Sequence, residues 1–347
     1  MAATITTKTS CFVSFFVFFV AVLRAQTPAV PAAQALRCLE TVEGVRWERW
    51  MGTGDATLDA WCASVGKPIM RSPPFVAPAE ITELQVVTWN VHVGGGRAET
   101  FIQQLIDESA SHGRGVVLLL EETYRVGTDV PESYPTDLDV PKSIRPRRPA
   151  PDVAALAERF DLFTAYVPSM RNGAATNASQ REDRGNAVLS TEPLTDVTAI
   201  ELPFGRQRRV AVGATVTPRG SRAKPVRVIV FHVDRGDRGV GQAEALAARV
   251  KTMSATRTMP LVVAGDSNSR KGLRDPAVAS LSAQIHREDE CGTGRTFRRA
   301  MRADVLFTAR LDFMFSTLDD FGLTRTCQTL EDAMGSDHVP VAMTITY

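Results

Sequence analysis

The chain has 347 residues, 44% hydrophobic and 23% charged, proportions of a folded globular protein and not of a disordered or fibrous one. Forty basic residues against 39 acidic ones leave no global field to select a polyanion, so any nucleic-acid preference must come from local patches. That length holds one large α/β domain plus an appendage.

At the N-terminus Lys8 precedes the apolar run Cys11–Leu23, and small residues and prolines follow through Ala35. This pattern reads as a secretory signal peptide over 1–35, cleaved after Ala25 or, better suited, after the Ala33-Gln34-Ala35 triplet. An uncleaved anchor is the alternative, although the run is short for a membrane span. No second apolar stretch reaches that length, so the mature chain is expected to be secreted, to the extracellular space or a periplasm, without stable membrane insertion. A monomer is expected. Loss of Cys11 leaves Cys38, Cys62, Cys291 and Cys327. An even number in an exported chain suggests two disulfides, with Cys38–Cys62 and Cys291–Cys327 the preferred pairing.

Residues 36–71 carry Trp47, Trp50 and Trp61 between or beside the first two cysteines. Leu39, Val42, Val45 and Trp50 can share one helical face, and Leu58, Trp61 and Val65 another. The segment therefore reads as a small, disulfide-stapled helical extension, its aromatic residues packing against the main domain. The Pro-rich stretch within 72–80 reads as a linker, and 81–347 as the main domain.

From Glu80 onward, strand-like stretches fall at 84–90, 115–121, 162–167, 186–190, 209–217, 226–233, 260–265, 311–316 and 339–346. Helical periodicity falls at 98–111, 151–160, 241–255 and 275–284. Several strands follow one another without helices, notably over 186–233, so the sheets should be mixed. Two mixed sheets packed face to face with helices outside, a four-layer α/β sandwich, accommodate this order. Loops at Asp129–Arg148 and Ser169–Arg184 are long enough to be binding loops.

Polar clusters sit at strand ends: Thr88-Trp89-Asn90, Glu121-Glu122-Thr123, Gly265-Asp266-Ser267-Asn268 and Ser336-Asp337-His338. Strand ends present side chains at one rim of a sheet. Asn90 and Glu122 offer the oxygen ligands that suit Mg²⁺ or Mn²⁺, and strand alternation puts only one of Glu121 and Glu122 on the site face. Asp266 and Asn268 can orient a water and hold a phosphoryl oxygen. His338 is a general base in need of a carboxylate partner, for which Asp312 is the candidate. His232 is a second imidazole at a strand end, whereas His112 and His286 carry no signal.

In order, Thr88-Trp89-Asn90-Val91, Leu120-Glu121-Glu122-Thr123, Arg184-Gly185-Asn186-Ala187-Val188-Leu189-Ser190, Phe231-His232-Val233-Asp234, Gly265-Asp266-Ser267-Asn268, Arg310-Leu311-Asp312-Phe313 and Ser336-Asp337-His338-Val339-Pro340 resemble the endonuclease/exonuclease/phosphatase superfamily of DNase I-like phosphodiesterases. The resemblance implies a DNase I-like fold and hydrolysis of phosphate esters by metal-assisted water attack. It implies that Asn90, Glu122 and Asp337 serve the metal, and that His338 with Asp312 activates water or steadies the phosphate. His232 would then bond a phosphoryl oxygen, while Asp266 and Asn268 align water and substrate. Ser267, and Val230-Phe231 before His232, depart from the family pattern without removing a catalytic group. Basic clusters at 142–148, 206–209 and 295–302 favour nucleic acid as the phosphodiester substrate. A sphingomyelinase-like or inositol-phosphate hydrolase is the first alternative, and a non-catalytic module on the same fold the second.

Overall fold

The computed structural model describes residues 44–49, 56–74, 80–94, 96–135, 138–140, 150–173, 181–220, 222–256, 258–285, 291, 294–302 and 305–347. The expected signal peptide, Cys38 and the basic cluster at 142–148 lie outside them. In chain order the strands are β1 (Val45–Arg49), β2 (Ile69–Arg71), β3 (Glu83–Asn90), β4 (Arg114–Val126), β5 (Phe163–Arg171), β6 (Glu182–Ser190), β7 (Leu194–Glu201) and β8 (Val210–Val216). They continue with β9 (Val226–His232), β10 (Leu261–Asp266), β11 (Phe297–Arg302), β12 (Val305–Ala309), β13 (Asp312–Ser316), β14 (Thr324–Thr329) and β15 (Val341–Thr346).

One sheet has the order β1-β7-β8-β9-β10-β13 and the other β14-β15-β3-β4-β6-β5-β2, while β11 and β12 form a separate hairpin. Both large sheets are mixed: β3 runs parallel to β4 and β9 to β10, with antiparallel neighbours beside them. Strand periodicity explains the layering. Leu84, Val86, Val117 and Leu119 face Val228, Val230, Val262 and Ala264 in the core between the sheets. Their alternates Val87, Val116, Leu118 and Leu120 pack outward against helices α2 (Ala98–Ser111) and α3 (Val153–Arg159), numbered after α1 (Ala56–Ala63). On the far side Ile229, Phe231, Leu261 and Val263 pack against α4 (Asp237–Ala255) and α5 (Pro276–Ile285). The four-layer sandwich is as expected from the sequence.

The N-terminal extension is a correction. Its first expected helix is a strand, β1, paired in parallel with β7, and β2 closes the edge of the seven-stranded sheet against β5. Val45, Trp47 and Arg49 share a face at strand spacing, and pairing with the edge of β7 selects the strand. Residues 45–49 and 69–71 therefore belong to the sheets and are not a separate appendage. The second expected helix is α1, with Trp61 buried in a small cluster with Met170 and Leu138. Cys291 and Cys327 are disulfide-bonded as expected. Cys62 is disulfide-bonded too, its expected partner Cys38 lying outside the described residues. No helix among the described residues is long and apolar enough to cross a membrane.

Candidate active site

The parity that fills the core with hydrocarbon continues to the strand ends, where it delivers polar side chains. Thr88 and Asn90 extend the inward set of β3, Glu121 that of β4, His232 that of β9, Asp266 that of β10, and Asp312 opens β13 on the inward face beside Met314. The rims of both sheets thus meet at one polar mouth. Gly265, at φ +152°, permits this, because any side chain there would run into the Phe231 carbonyl of the paired strand.

His338 and Asp312 form a buried dyad: Nδ1 lies 2.8 Å from Oδ2 and 3.1 Å from Oδ1. Thr296 Oγ1 accepts from the Asp312 and Leu311 amides, both at 3.0 Å, which fixes the backbone at the start of β13. Trp89 Nε1 donates to the His338 carbonyl at 3.1 Å, and the Phe297 ring packs edge-on against the imidazole. Ser336 joins this loop to β3 by donating to the Asn90 carbonyl at 2.7 Å.

Asp266 lies between the two imidazoles, 3.7 Å from His338 Nε2 and 3.5 Å from His232 Nε2. Burial, which Asp312 reinforces and His338 opposes, raises its carboxyl to about 7. Burial lowers the basicity of His338, but Asp312 and Asp266 outweigh it and push the imidazole up to about 10. His338 is therefore a proton holder at neutral pH, and Asp266 is the group poised to gain or lose a proton there. His232 is the reverse case: burial, reinforced by Arg209, His338 and Arg184, holds it neutral, well below the usual histidine range. Asn268 Nδ2 donates to Val233 O at 2.8 Å and meets His232 Nε2 at 2.9 Å. That bond leaves the His232 proton on Nδ1, which faces Glu122 Oε1 at 3.9 Å.

The expectation that only one of Glu121 and Glu122 reaches the site is overturned. Alternation carries Glu121 inward, where Thr88 Oγ1 donates to it at 2.6 Å and its Oε2 is buried with no partner among the described residues. A bulge between Leu120 and Thr123, with Glu122 at φ +53°, then swings Glu122 to the same rim.

Asn90, Glu122 and Asp337 gather around a residue that carried no weight in the sequence, His92. Its amide donates to Asn90 Oδ1 at 3.0 Å, its Nδ1 lies 2.7 Å from Asp337 Oδ1, and the negative charge of Glu122 helps to raise its pKa. His92 and Val93 both adopt positive φ, so the turn after β3 holds two consecutive strained residues. The hydrogen bond to Asp337 raises the His92 pKa; burial works against Asp337 ionising, but His92 and His338 hold its carboxyl below the usual range. Around His92 the site thus gathers one amide and two carboxylates. The hard oxygen donors present therefore fit a divalent cation such as Mg²⁺ or Mn²⁺. Asp266, Asp312 and His338 also offer ligand atoms within 4.8 Å of one another and could hold a metal. His338 Nδ1 is bonded to Asp312, which leaves Nε2 as the atom it could offer.

The basic clusters separate. Arg208 is wholly buried and bidentate to Glu201, at 2.7 Å for both bonds, and so is structural. Arg209 Nε bonds Asp234 at 3.0 Å. Arg295, Arg298 and Arg299 are exposed on the β11–β12 hairpin, which grows directly from the site: Phe297 bridges to His338, and the Arg298 amide donates to Asp337 O at 2.8 Å. An open groove between α4 and α5, beside Glu244 and Lys251, is remote from this mouth.

The family model for the Endonuclease/Exonuclease/phosphatase family matches residues 87–338. No curated protein matches the chain. Among solved structures, an endonuclease/exonuclease/phosphatase from Beutenbergia cavernae is similar at TM-score 0.52 and 18% identity, covering 76% of this chain and 72% of that one. A family protein from Leptotrichia buccalis gives TM-score 0.52 at 14% identity, covering 76% and 100%. The human Nocturnin catalytic domain with bound sulfate anion gives 0.50 at 12%, covering 77% and 95%.

Proposed function

The chain belongs to the endonuclease/exonuclease/phosphatase family of phosphate-ester hydrolases, and from that premise we propose that it is a secreted, Mg²⁺- or Mn²⁺-dependent phosphodiesterase with nucleic acid as the favoured substrate. The observation that carries this reading is the placement of Asp266 Oδ2 3.7 Å from His338 Nε2, with Asp312 bonded to the far nitrogen of the imidazole. Asp266, with its carboxyl raised to about 7, takes the proton of the attacking water. His338, held charged by Asp312, donates from Nε2 to a phosphoryl oxygen and steadies the charge that develops there. Of the two roles expected for His338, this supports the second. Asn268 holds His232 in one tautomer, so His232 serves the phosphate through Nδ1–H. Asn90, Glu122 and Asp337 would hold the cation, which supplies Lewis-acid stabilisation of the phosphate and the leaving oxygen.

Nucleic acid is favoured over lipid because the hairpin beside His338 exposes Arg295, Arg298 and Arg299. Among the described side chains of this hairpin, Leu306 is the one exposed large apolar residue, at 60%. The test is hydrolysis of single-stranded DNA, RNA, sphingomyelin and phosphoinositides by purified protein, with Mn²⁺ and after chelation by EDTA. Activity on nucleic acid that EDTA abolishes and Mn²⁺ restores is expected. Activity confined to lipid, or unaffected by EDTA, would contradict the reading. Secretion is tested by recovering the processed chain outside the producing cell.

A further inference from the structure

One residue touches two of the three groups assigned to the cation, although they come from different places, the end of β3 and the loop before β15. His92 meets Asn90 through its main chain, its amide donating to Asn90 Oδ1 at 3.0 Å. It meets Asp337 through its ring, Nδ1 lying 2.7 Å from Asp337 Oδ1. An ionised carboxylate only accepts, so Nδ1 carries the proton of that bond in either charge state of the imidazole. Asn90 Nδ2 donates to Asp266 Oδ2 at 3.1 Å, so the Asn90 amide is held at both ends and its oxygen cannot change places with its nitrogen. Asp337 Oδ1 is taken by His92, which leaves Oδ2 as the oxygen to offer a cation. The backbone bends to allow both contacts. In an extended continuation of β3 the His92 amide would point along the sheet and not back to the Asn90 side chain. Instead His92 at φ +50° and Val93 at φ +51° lie in the left-handed region, which a β-branched residue such as Val93 rarely adopts. The wholly buried Val93 side chain and the Val91 amide, which donates to Glu121 O at 3.0 Å, anchor the turn.

We propose that His92 is a positioning residue of the cation centre, a clamp that holds the Asn90 amide and the Asp337 carboxylate so that each presents an oxygen to the same divalent ion. The clamp matters most for Asp337, which stands on a loop and has no strand pairing to fix it. His338 Nε2 is 4.0 Å from Asp337 Oδ1, beyond hydrogen-bond reach, and cannot take over this task. A ligand that is free to turn must be ordered when the ion binds, whereas a carboxylate already bonded from behind is ordered beforehand. The inference deepens the proposed function and rests on its assignment of Asn90, Glu122 and Asp337 to the cation.

The experiment titrates Mn²⁺ into the full-length protein and follows the free ion by electron paramagnetic resonance, for wild type, His92→Gly, His92→Asn and Glu122→Gln. Glycine and asparagine both accept a positive φ, so both variants keep the turn and the main-chain bond to Asn90. Asparagine also places an amide nitrogen close to where Nδ1 stands, and glycine places nothing there. His92→Gly should weaken Mn²⁺ binding by about ten- to a hundredfold, the usual cost of losing an outer hydrogen-bond partner of a ligand. His92→Asn should retain most of the affinity. The rise in thermal midpoint caused by Mn²⁺, taken from each variant's own metal-free midpoint, should follow the same order, which separates lost binding from lost stability. Wild-type affinity in His92→Gly would overturn the clamp. Equal weakening in both variants would overturn it too, because the imidazole would then act as a ligand itself. No Mn²⁺ binding by wild type, or none lost in Glu122→Gln, would instead remove the cation assignment on which the clamp rests.

Discussion

Two buried charged clusters sit in the same pair of sheets and behave in opposite ways. In the first, Asp183 on β6 accepts from Arg125 Nη2 at 2.6 Å, Arg125 Nε at 3.2 Å, Tyr166 OH at 2.7 Å and the Gly66 amide at 2.8 Å. Arg125 Nη1 also donates to Lys67 O at 2.8 Å, so the cluster ties the chain after α1 to both β4 and β6. Every charge has its counter-charge and its donors. In the second, Asp266 accepts from the Asn268 amide at 2.7 Å and from Asn90 Nδ2 at 3.1 Å, but its charged neighbours are Asp312 and two imidazoles, the imidazoles at 3.5 and 3.7 Å, and its carboxyl is raised to about 7. Burial of polar groups is common to both. A fixed guanidinium counter-charge is not, and the cluster of carboxylates and imidazoles is the one that can exchange protons.

The contrast can be broken most sharply at Asp266. Asp266→Asn should lower the rate by roughly a thousandfold, within the range of general-base loss. Its stability at about pH 8 should not fall. The carboxyl is raised in the folded state, from 3.8 to about 7, so the stability it contributes is lost as pH climbs through that window, and above it the charged form only penalises folding. Asp183→Asn should do the reverse, destabilising by about 3–5 kcal/mol through the stranded Arg125, with near-normal turnover of the molecules that remain folded. Urea unfolding and initial rates measure both.

The pH profile sharpens the same point. Activity should rise about tenfold per unit to a plateau near 7 as Asp266 loses its proton, and fall again near 10 as His338 loses its own. A profile flat from pH 5 to 9 would remove Asp266 as the base. The smallest effect is expected at Asn268→Ala, which frees the His232 tautomer and costs roughly three- to tenfold in rate, the worth of one net hydrogen bond.

The strands that supply these residues were legible because hydrocarbon alternation in β3, β4, β9 and β10 ends abruptly in polar clusters. Edge strands were not. In β14 the residues Thr324–Thr329 alternate between exposed and half-buried and carry little apolar signal, and β1 has two arginines and a glutamate in five residues. The same limit applies within the site. Asn90, His232, Asp266 and Asp312 converge at the mouth where strand parity puts them, and the loops after β10 and before β15 add Asn268 and His338. Glu122 arrives only through a bulge, which no alternation rule contains. His92 was passed over, although it stands two residues after Asn90. A charged residue becomes informative only when its partners are known, and partners are set by the fold.

The most direct test is to measure Mn²⁺-dependent hydrolysis of bis(p-nitrophenyl) phosphate and urea stability side by side for Asp266→Asn and Asp183→Asn. The expected result is a crossed pattern, with Asp266→Asn stable and about a thousandfold slower, and Asp183→Asn unstable and near normal in turnover. Near-wild-type hydrolysis by Asp266→Asn would contradict the assignment of the mouth as the catalytic centre.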